Sequence, residues 1–398
     1  MTRALFVLNG GSSSLKFAVY QYEPNRKALL QGSVSALGHA PRLEATAEGK
    51  TVCDYSVASS PMSLAEAGQI VFALVGERGL LHNIEAIGHR IVHGGEWFTE
   101  PVVLDAAKIT RLRGLVPLAP LHQPHNLDLV DLAATRLPRA VQVGCFDTAF
   151  HAARPRLDRI YGLPHHLIGS GILAYGFHGL SYAHAARVLK ERDAERAGGR
   201  AIVAHLGNGA SLCAMDAGRS VATTMGFSAL DGLIMSTRCG AIDPGIILHL
   251  LADRGMSTDE VSALLYQQAG LRGLSGISGD MATLLASADP RAAEAIDLFV
   301  YRAGRAIGSM AAALGGLDTL VFTAGIGENA PIIRKRIGEA AHWLGAAIDP
   351  ERNARNEIDI SAPNSRVRAL VIPADEERAV ADEVIMHLKD GASAKHEG

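Results

Sequence analysis

Small and polar residues follow a short apolar run near the start of this chain, in an arrangement that can bind an anion. Residues 4–20 read ALFVLNGGSSSLKFAVY, with Asn9, Ser12, Ser14 and Lys16 between or beside two apolar runs. Glycine and serine let the backbone approach a ligand closely, so that N–H groups can point at a phosphate. The segment predicts a strand, a tight turn and a second strand, and the alternative is an ordinary Gly/Ser hairpin. The spacing of a P-loop, G-x-x-x-x-G-K-[ST], is absent.

Two arginines lie within or beside apolar segments. Arg90 is part of GHRIVHGGE, and Arg238 is part of STRCGAIDPG. A buried guanidinium needs an anionic partner, because an unpaired buried charge is very costly. That partner is either a protein carboxylate in a structural salt bridge or a bound carboxylate or phosphoryl group held by the planar fork. The sequence leaves both alternatives open for each arginine.

Asp147 and His178 are candidates for a reaction centre. Asp147 follows the apolar run VQVGCF, and α/β folds place their sites at the carboxyl ends of buried strands. The alternative for Asp147 is an N-cap of a short helical turn. His178 lies between glycines in AYGFHGLSY, where it could donate a hydrogen bond to developing negative charge. A core histidine with satisfied hydrogen bonds is the alternative.

Two further polar pairs allow a metal ion to be considered. Glu376 and Glu377 follow the apolar residues 370–372 and are predicted to begin an amphipathic helix. Carboxylates in a first helical turn favour the helix dipole, and a Mg²⁺ site is the alternative. His122 and His125 in PLHQPHN lack a nearby third ligand, so we favour a pocket wall with Leu121 pointing inward over zinc. Pro117, Pro120 and Pro124 are expected to break any helix here.

The segment HLGNGASLCAM (205–215) repeats the pattern of VLNGGSSSLKF (7–17) about half a chain later. A third glycine loop, TAGIGEN (323–329), directly follows an apolar run and precedes a helix predicted to begin at Pro331. Glycine backbone and a helix N-terminus suit the phosphates or ribose of a nucleotide. The loop lacks the third glycine of a dinucleotide fingerprint, which argues against NAD. The repeat makes a duplicated α/β domain plausible.

Strands must alternate with helices to position these residues. Buried strands are predicted at 4–9, 15–20, 86–92, 140–146, 201–206 and 319–324, where short aliphatic runs are bounded by turns. Apolar residues at three- and four-residue spacing predict helices at 63–79, 128–137, 181–195 and 289–316. The alternation favours an α/β fold of two or three domains. Two facing copies of one domain would leave a cleft between their phosphate-binding hairpins.

Composition excludes several classes of partner. The chain has 398 residues, 48% of them hydrophobic and 20% charged, and a net charge of −3, so nucleic acid and membranes are not expected. Its four cysteines form no C-x-x-C pattern, which favours a reducing cytoplasm with free thiols. The apolar run before Asn9 is too short for a signal peptide, and no run approaches the length of a membrane span.

Ten ordered segments together resemble the acetate kinase family of the acetate and sugar kinase, Hsp70 and actin superfamily. They are NGGSSSLK, GHRIVHGGE, PLHQPHN, FDTAFH, YGFHG, HLGNGAS, TRCGAIDPG, SGISGDM, GIGEN and VIPADEE. The resemblance implies two duplicated actin-like (ribonuclease H-like) α/β domains with a nucleotide cleft between them. Their implied extents are 1–148, completed by a C-terminal helix at about 375–392, and 149–374.

The resemblance also implies an activity and residue roles. The implied reaction is reversible in-line transfer of the γ-phosphoryl of ATP to acetate, giving acetyl phosphate and ADP. The implied cofactor is Mg²⁺, with Mn²⁺ as a substitute, and the implied protein is a cytoplasmic homodimer. Catalysis is implied for Asp147, Arg90, Arg238 and His178, and metal placement for Asn9 and Glu376. The implied acetyl pocket is Arg90 with Val92, Leu121, Phe177 and Ala229. The implied nucleotide contacts are Ser12, Ser14, Lys16, His205, Leu206, Gly207, Asn208, Gly209, Asp280, Met281, Ala282, Gly325, Ile326, Gly327, Glu328 and Asn329.

This chain departs from the usual pattern of the family at five positions. Leu180 and Tyr182 stand where Thr and His are frequent, and Ala241, Ala282 and Ala229 replace an acid, an arginine and a proline. A propionate or butyrate kinase of the same fold is therefore the main alternative, because one methylene in an apolar pocket is worth only ~1–3 kcal/mol. An ATP-gated binding protein would need a further module, for which the chain leaves no room. An NAD dehydrogenase fits poorly, because no βαβ unit precedes an acidic ribose ligand.

Overall fold

The computed structural model describes residues 3–11, 13–22, 27–38, 40–57, 61–192 and 199–393. Ser12 and residues 193–195 of the third predicted helix lie outside the described residues. The chain divides into two compact units. The first unit comprises Met1–Phe150 and Asp375–Gly398, and the second comprises His151–Ala374.

The first unit contains a mixed sheet and helices from both ends of the chain. Its strands are β1 (Ala4–Gly10), β2 (Leu15–Gln21), β3 (Ala28–Ser35), β4 (Arg42–Ala47), β5 (Lys50–Ser56), β6 (Ile84–Ile91), β7 (Val102–Val103) and β8 (Val141–Phe146). Its helices are α1 (Leu64–Glu77), α2 (Ala106–Arg113), α3 (Gln123–Arg136) and, from the end of the chain, α15 (Glu376–Ser393).

The sheet of the first unit has the strand order β5-β4-β3-β2-β1-β6-β8-β7. Strands β1, β6 and β8 are parallel neighbours, and β1 and β2 form an antiparallel hairpin. Phe6 packs edge to face on Phe72 of α1, which places α1 on one face of the sheet. On the other face α15 approaches β6 so closely that a Cβ at Gly88 would be 2.6 Å from a methyl of Val380. Glycine is therefore required at position 88.

The second unit contains a smaller sheet and a larger share of helix. Its strands are β9 (Arg200–Leu206), β10 (Ala210–Asp216), β11 (Arg219–Thr223), β12 (Thr319–Thr323) and β13 (Arg368–Val371). Its helices are α4 (Arg156–Arg159), α5 (His165–Gly169), α6 (Gly179–Arg192), α7 (Pro244–Ala252), α8 (Thr258–Ala263), α9 (Gly270–Ser275), α10 (Met281–Leu285), α11 (Pro290–Leu314), α12 (Ala324–Asn329), α13 (Pro331–Ala340) and α14 (Pro350–Ala354).

The two sheets share one strand order over five strands. The order β11-β10-β9-β12-β13 matches β3-β2-β1-β6-β8 strand for strand. In each sheet an antiparallel trio is followed by two parallel strands. The repeat between residues 7–17 and 205–215 thus corresponds to two equivalent hairpins, β1–β2 and β9–β10. The predicted duplication of an α/β domain is confirmed.

The structure contains the strands and helices predicted from the sequence, with their ends shifted by a few residues. The six predicted strands correspond to β1, β2, β6, β8, β9 and β12. The expectation that prolines exclude a helix from PLHQPHN is wrong, because α3 begins at Gln123 with Pro124 in its first turn. A proline there has no helical N–H to lose. Among the described residues, no helix combines the length and apolar character needed to cross a bilayer.

Candidate active site

Three polar residues of the first unit lie at the carboxyl ends of parallel strands. Asn9 is near the end of β1, Arg90 near the end of β6, and Asp147 directly after β8. Arg90 is in register with Cys145, and the N–H of Asp147 donates to the carbonyl of Ile91 at 3.1 Å. Because neighbouring parallel strands end at the same edge of the sheet, these three side chains converge.

Arg90 and Asp147 form a bidentate ion pair. Arg90 Nε lies 3.0 and 3.1 Å from the two carboxylate oxygens, and Nη2 lies 2.7 Å from Oδ2. Their side chains are 13% and 3% exposed. Arg90 Nη1 also donates to Asn9 Oδ1 at 3.0 Å and lies 3.5 Å from Glu376 Oε2. Arginine has five N–H groups, so these partners leave donor capacity for another anion.

Burial and charge oppose each other in this pair. Burial acts to lower the pKa of Arg90, but the charges of Asp147 and Glu376 outweigh it and raise that pKa. Burial raises the pKa of Asp147, and the Arg90 guanidinium opposes that change. The bidentate contact is the geometry of an ionised pair. Arg90 is therefore held charged and oriented at the sheet edge.

Two carboxylates from the first turn of α15 complete the cluster. The amide nitrogen of Asn9 donates to Glu376 Oε2 at 2.9 Å and to Glu377 Oε1 at 2.6 Å. Burial raises the pKa of Glu377, with the charge of Lys16 opposing it and that of Glu376 adding to it. The Glu376 and Glu377 carboxylates and the Asn9 amide oxygen are oxygen ligands of the kind that Mg²⁺ prefers, and Mg²⁺ commonly takes one or two carboxylates together with substrate phosphates. The residues present therefore fit a magnesium ion.

The β1–β2 hairpin has a tight turn. The N–H of Gly11 donates to the carbonyl of Ser14 at 2.8 Å, and Asn9 pairs with Lys16 across the strands. A Cβ at Gly10 would lie 2.5 Å from Cδ2 of Leu64, so only glycine fits there. Ser14 and Lys16 thus border the strand end that carries Asn9.

Two amides that sequence reasoning missed support this edge of the sheet. Buried Asn126 accepts from the N–H of Val92 at 3.1 Å and donates to the carbonyl of Gly10 at 3.0 Å. Buried Gln123 both accepts from and donates to the backbone of His93. Both amides belong to the segment PLHQPHN. Their i, i+3 spacing, which places two side chains on the same face of a helix, was the signal in the sequence that could have identified them. Of the predicted acetyl-pocket residues here, Val92 is buried, whereas Leu121 is 39% exposed.

The predicted nucleotide segments of the second unit meet around the β9–β10 hairpin. The N–H of Ser236 donates to the carbonyl of Asn208 at 3.1 Å, and Ser236 Oγ donates to the carbonyl of Gly279 at 2.9 Å. A Cβ at Gly207 would lie 3.6 Å from that of Ala324, at the start of α12. Gly279 directly precedes Asp280, which caps α10 by accepting from the N–H of Thr283 at 2.8 Å. Leu206 belongs to the segment 205–209 at this hairpin, and Met281 and Ala282 belong to the segment 280–282.

His178 and Arg238 lie beside the same hairpin. A Cβ at Gly209 would be 3.1 Å from His178 Nε2 and 3.8 Å from Arg238 Nη2. His178 has φ +60°, the left-handed region that non-glycine residues rarely adopt. Arg238 Nη1 donates to the carbonyl of Ala229 at 2.8 Å. Phe177, next to His178, is fully buried.

Two stacked imidazoles are each hydrogen-bonded to a buried serine. The rings of His178 and His205 lie 4.2 Å apart between centroids at 20°. His178 Nδ1 is 2.8 Å from Ser211 Oγ, and His205 Nδ1 is 2.9 Å from Ser181 Oγ. Two protonated rings at this distance would repel, which favours at least one neutral ring.

The segment TAGIGEN is not an open loop, as the sequence predicted, but contains the short helix α12. Buried Arg334 explains the difference, because its Nη1 donates to the carbonyls of Gly327 and Glu328 at 2.9 and 2.7 Å. Its remaining donors reach Asn353 and Asn356. The bonds from Nη1 satisfy carbonyls at the end of α12. They thereby stabilise a short helix that its two glycines would otherwise disfavour. Gly325, Ile326 and Asn329 belong to the same helix.

Among the residues that the structure describes, no three or more His, Cys, Asp or Glu side chains are grouped so that they alone could hold a metal ion. The structure thus brings Asn9, Arg90, Asp147 and Glu376 together in the first unit. It brings His178, His205, Gly209 and Arg238 together in the second unit. Ser12 lies outside the described residues, and the roles of all these residues remain predictions.

The fold and these strand-end clusters define a class of protein, the actin-like α/β phosphotransferases. A solved propionate kinase from Francisella tularensis is 34% identical with a TM-score of 0.88, covering 96% of this chain and 98% of that chain. A solved acetate kinase from Porphyromonas gingivalis is 33% identical with a TM-score of 0.84, covering 97% and 100%.

Sequence comparison gives the family. The profile of the Acetokinase family matches residues 4–382. An acetate kinase from Rhodopseudomonas palustris strain TIE-1 is 48% identical over 398 residues, covering 98% of this chain and all of that relative. The chain belongs to the acetokinase family, as the ordered motifs predicted.

Proposed function

We propose that this chain is an acetate kinase that transfers the γ-phosphoryl group of ATP to acetate. The observation that carries the proposal is the Arg90–Asp147–Asn9–Glu376 cluster at adjoining strand ends, in a chain of the acetokinase family. A carboxylate oxygen of acetate forms a bond to the γ-phosphorus while the bond to the β–γ bridging oxygen breaks. The products are acetyl phosphate and ADP, and the reaction is reversible.

Arg90 binds the carboxylate substrate in this proposal. Its guanidinium is fixed by Asp147 and Asn9 and retains donor capacity for an anion. A carboxylate is already a competent nucleophile, so Asp147 need not remove a proton. We assign Asp147 to orienting Arg90. Apolar contacts to the methyl group are assigned to Val92, Leu121, Phe177 and Ala229.

Asn9 and Glu376 would hold Mg²⁺, with Mn²⁺ as a possible substitute. Glu377 also accepts a hydrogen bond from the Asn9 amide, and its pKa is raised by burial and, to a smaller extent, by the neighbouring charge of Glu376, which a cation would offset. Magnesium is commonly bound through one or two carboxylates together with substrate phosphates. When bound, the ion would neutralise charge on the phosphate oxygens.

The second unit binds the nucleotide in this proposal. The segments 205–209, 280–282 and 325–329 contact ATP, and Ser12, Ser14 and Lys16 of the first unit contact its phosphates. Arg238 and His178 donate hydrogen bonds to the transferring phosphoryl group. Phosphoryl transfer requires mainly positioning and charge neutralisation, and an arginine aimed at the transferring group can contribute ~10³–10⁵ in rate.

A hydroxamate assay for acyl phosphate, run with Mg-ATP and acetate, propionate or butyrate, tests the proposal. We expect acetate-dependent product that falls at least 100-fold in kcat/KM in Arg90→Ala. Arg42→Ala is the matched control, because Arg42 is also paired with carboxylates but is exposed. ATP turnover that is independent of any carboxylic acid would contradict the proposal.

A propionate or butyrate kinase is the second candidate. Ala229 has a small side chain, and its carbonyl accepts a hydrogen bond from Arg238 Nη1 at 2.8 Å. The solved propionate kinase described above shares the fold. Ratios of kcat/KM for the three acids separate the candidates, and a tenfold preference for butyrate over acetate would replace the first proposal.

We also propose a cytoplasmic homodimer. The helix α7 exposes apolar side chains, with Ile246 45% and Leu248 66% exposed, and a second copy of the chain would cover them. The four cysteines are free thiols, as a reducing compartment favours. Light scattering should give twice the chain mass for the wild type and a smaller mass for Leu248→Lys. A monomeric wild type would refute the dimer.

A further inference from the structure

Ser211 lies between His178 and Tyr182 and is hydrogen-bonded to both side chains. Ser211 Oγ is 2.8 Å from His178 Nδ1 and is also hydrogen-bonded to the hydroxyl of Tyr182. Ser211 and Tyr182 are both fully buried. Tyr182 lies one helical turn after His178, and its N–H donates to the carbonyl of His178 at 3.1 Å. His178 is therefore linked to β10 through its imidazole and to α6 through its backbone carbonyl.

We propose that Tyr182 and Ser211 are positioning residues that fix the orientation and tautomer of His178. The tyrosine hydroxyl donates to Ser211, the serine hydroxyl donates to His178 Nδ1, and the imidazole proton is held on Nε2. A neutral imidazole has one donor and one acceptor nitrogen, so the partner of Nδ1 decides which nitrogen carries the proton. The proposal rests on the role assigned to His178 in phosphoryl transfer.

Burial keeps the Tyr182 hydroxyl protonated and so available as the first donor of the proposed chain. Burial raises the pKa of Tyr182 well above its ordinary value, so the phenol keeps its proton and can donate it. A serine hydroxyl has one hydrogen and two lone pairs, so it can accept from Tyr182 and donate to His178 at the same time. Successive donors in one chain polarise and strengthen one another.

The other ring nitrogen faces the groups proposed to act on phosphate. Nε2 lies 3.1 Å from the Cβ position of Gly209, and Arg238 Nη2 lies 3.8 Å from the same point. An N–H on Nε2 is therefore presented beside Arg238. The stacking of His178 on His205 disfavours a positive charge on both rings at once, which is compatible with the neutral His178 of the proposal.

The first test measures the tautomer in the wild-type protein, with no change to the site. Proteins labelled with ¹⁵N-histidine are compared with and without His178→Gln, which assigns the signals of His178. We expect the ¹⁵N shifts of a neutral ring protonated at Nε2. A ring protonated at Nδ1 would overturn the proposal, whatever the activity of the enzyme.

The second test removes the outermost hydroxyl. Tyr182→Phe keeps the ring and should lower kcat about tenfold, with both KM values within twofold, because a tenfold change in rate corresponds to ~1.4 kcal/mol, which is within the range of one hydrogen bond. Its His178 signals should show a larger Nδ1–H fraction. Tyr175→Phe is the matched control, because Tyr175 is also buried and donates its hydroxyl to the carbonyl of Gly171 at 2.8 Å.

Two outcomes separate this inference from the proposed function. If Tyr182→Phe matches Tyr175→Phe in kcat and in its ¹⁵N spectrum, Tyr182 does not position His178 and the inference fails. If the wild type makes no acyl phosphate from any short acid, the proposed function fails, whereas the tautomer measurement still decides the inference.

Discussion

Glu383 is a buried carboxyl group of α15 whose replacement should change how stability depends on pH. Its Oε2 has no hydrogen-bond partner among the described residues, and it neighbours the fully buried Cys145. Burial raises the pKa of Glu383 to about 7, while a hydrogen bond with Cys145 opposes that change. The charge of Asp147 adds to the increase.

The sign and size of the effect follow from linkage. An unfolded glutamate titrates near 4.5, so between about pH 4.5 and 7 the folded chain holds a proton that the unfolded chain has released. The free energy of unfolding therefore falls as the pH rises through this range. At ~1.4 kcal/mol for each pKa unit, the penalty above pH 7 reaches about 3 kcal/mol. Below pH 4.5 Glu383 contributes no penalty.

Glu383→Gln removes the titration and keeps the shape of the side chain. The buried amide of the variant adds a cost that does not depend on pH. The informative quantity is therefore how the difference in free energy of unfolding between variant and wild type changes from pH 5 to pH 8. We expect the variant to gain about 2.5 kcal/mol relative to the wild type between pH 5 and pH 8, because a small part of the penalty is already present at pH 5. The gain should level off above pH 7.

Urea unfolding at several pH values measures this change. The chain has two tryptophans, Trp97 in the first unit and Trp343 in the second, so a Trp343→Phe background makes Trp97 fluorescence report on the first unit. Glu100→Gln, at an exposed position of the same unit, is the control. Parallel stability curves for the wild type and Glu383→Gln would refute the reasoning.

Three further changes test the site. Arg238→Lys should lower kcat about 100-fold, because lysine keeps the charge but loses the planar fork; a wild-type rate would remove Arg238 from the reaction. Asn9→Ala should raise the Mg²⁺ concentration for half-maximal activity about tenfold, and an unaltered Mg²⁺ titration would leave Asn9 as a turn residue only. Arg334→Lys replaces five hydrogen bonds to oxygen with at most three, so we expect a loss of about 2 kcal/mol in stability and a higher KM for ATP. An unchanged KM for ATP would show that the α12 carbonyls do not need Arg334.

The sequence predicted the central strands well because their signal is local. Fully buried strands such as β1 and β9 are short aliphatic runs bounded by glycine or polar residues. The outer strands β4 and β5 were not predicted, because both mix polar and apolar residues, and β4 buries only two of its residues while β5 buries none. Their pairing in the sheet, not their composition, specifies them.

The partners of site residues were less accessible to sequence reasoning. The strand-end rule placed Asp147 at the sheet edge, but it could not decide between a salt bridge and an anion site for Arg90, because Asp147 lies 57 residues away in the chain. The structure shows the ion pair, and the role of Arg90 toward substrate stays a prediction. Helix α12 was also missed, because its stabilising donor, Arg334, lies outside the glycine-rich segment.

The first unit is built from two separate stretches of the chain, which has a consequence for its synthesis. The strands of its sheet all lie before residue 150, whereas α15, which packs on β1, β6 and β8, follows the whole second unit in the chain. A nascent chain therefore carries all the residues of the second unit before it can finish the first. Helix α15 also brings Glu376 and Glu377, so ribosomes that stall or terminate early would release chains without these two carboxylates. A chain that ends before α15 would therefore lack both the helix that packs on this sheet and two carboxylates of the proposed metal site.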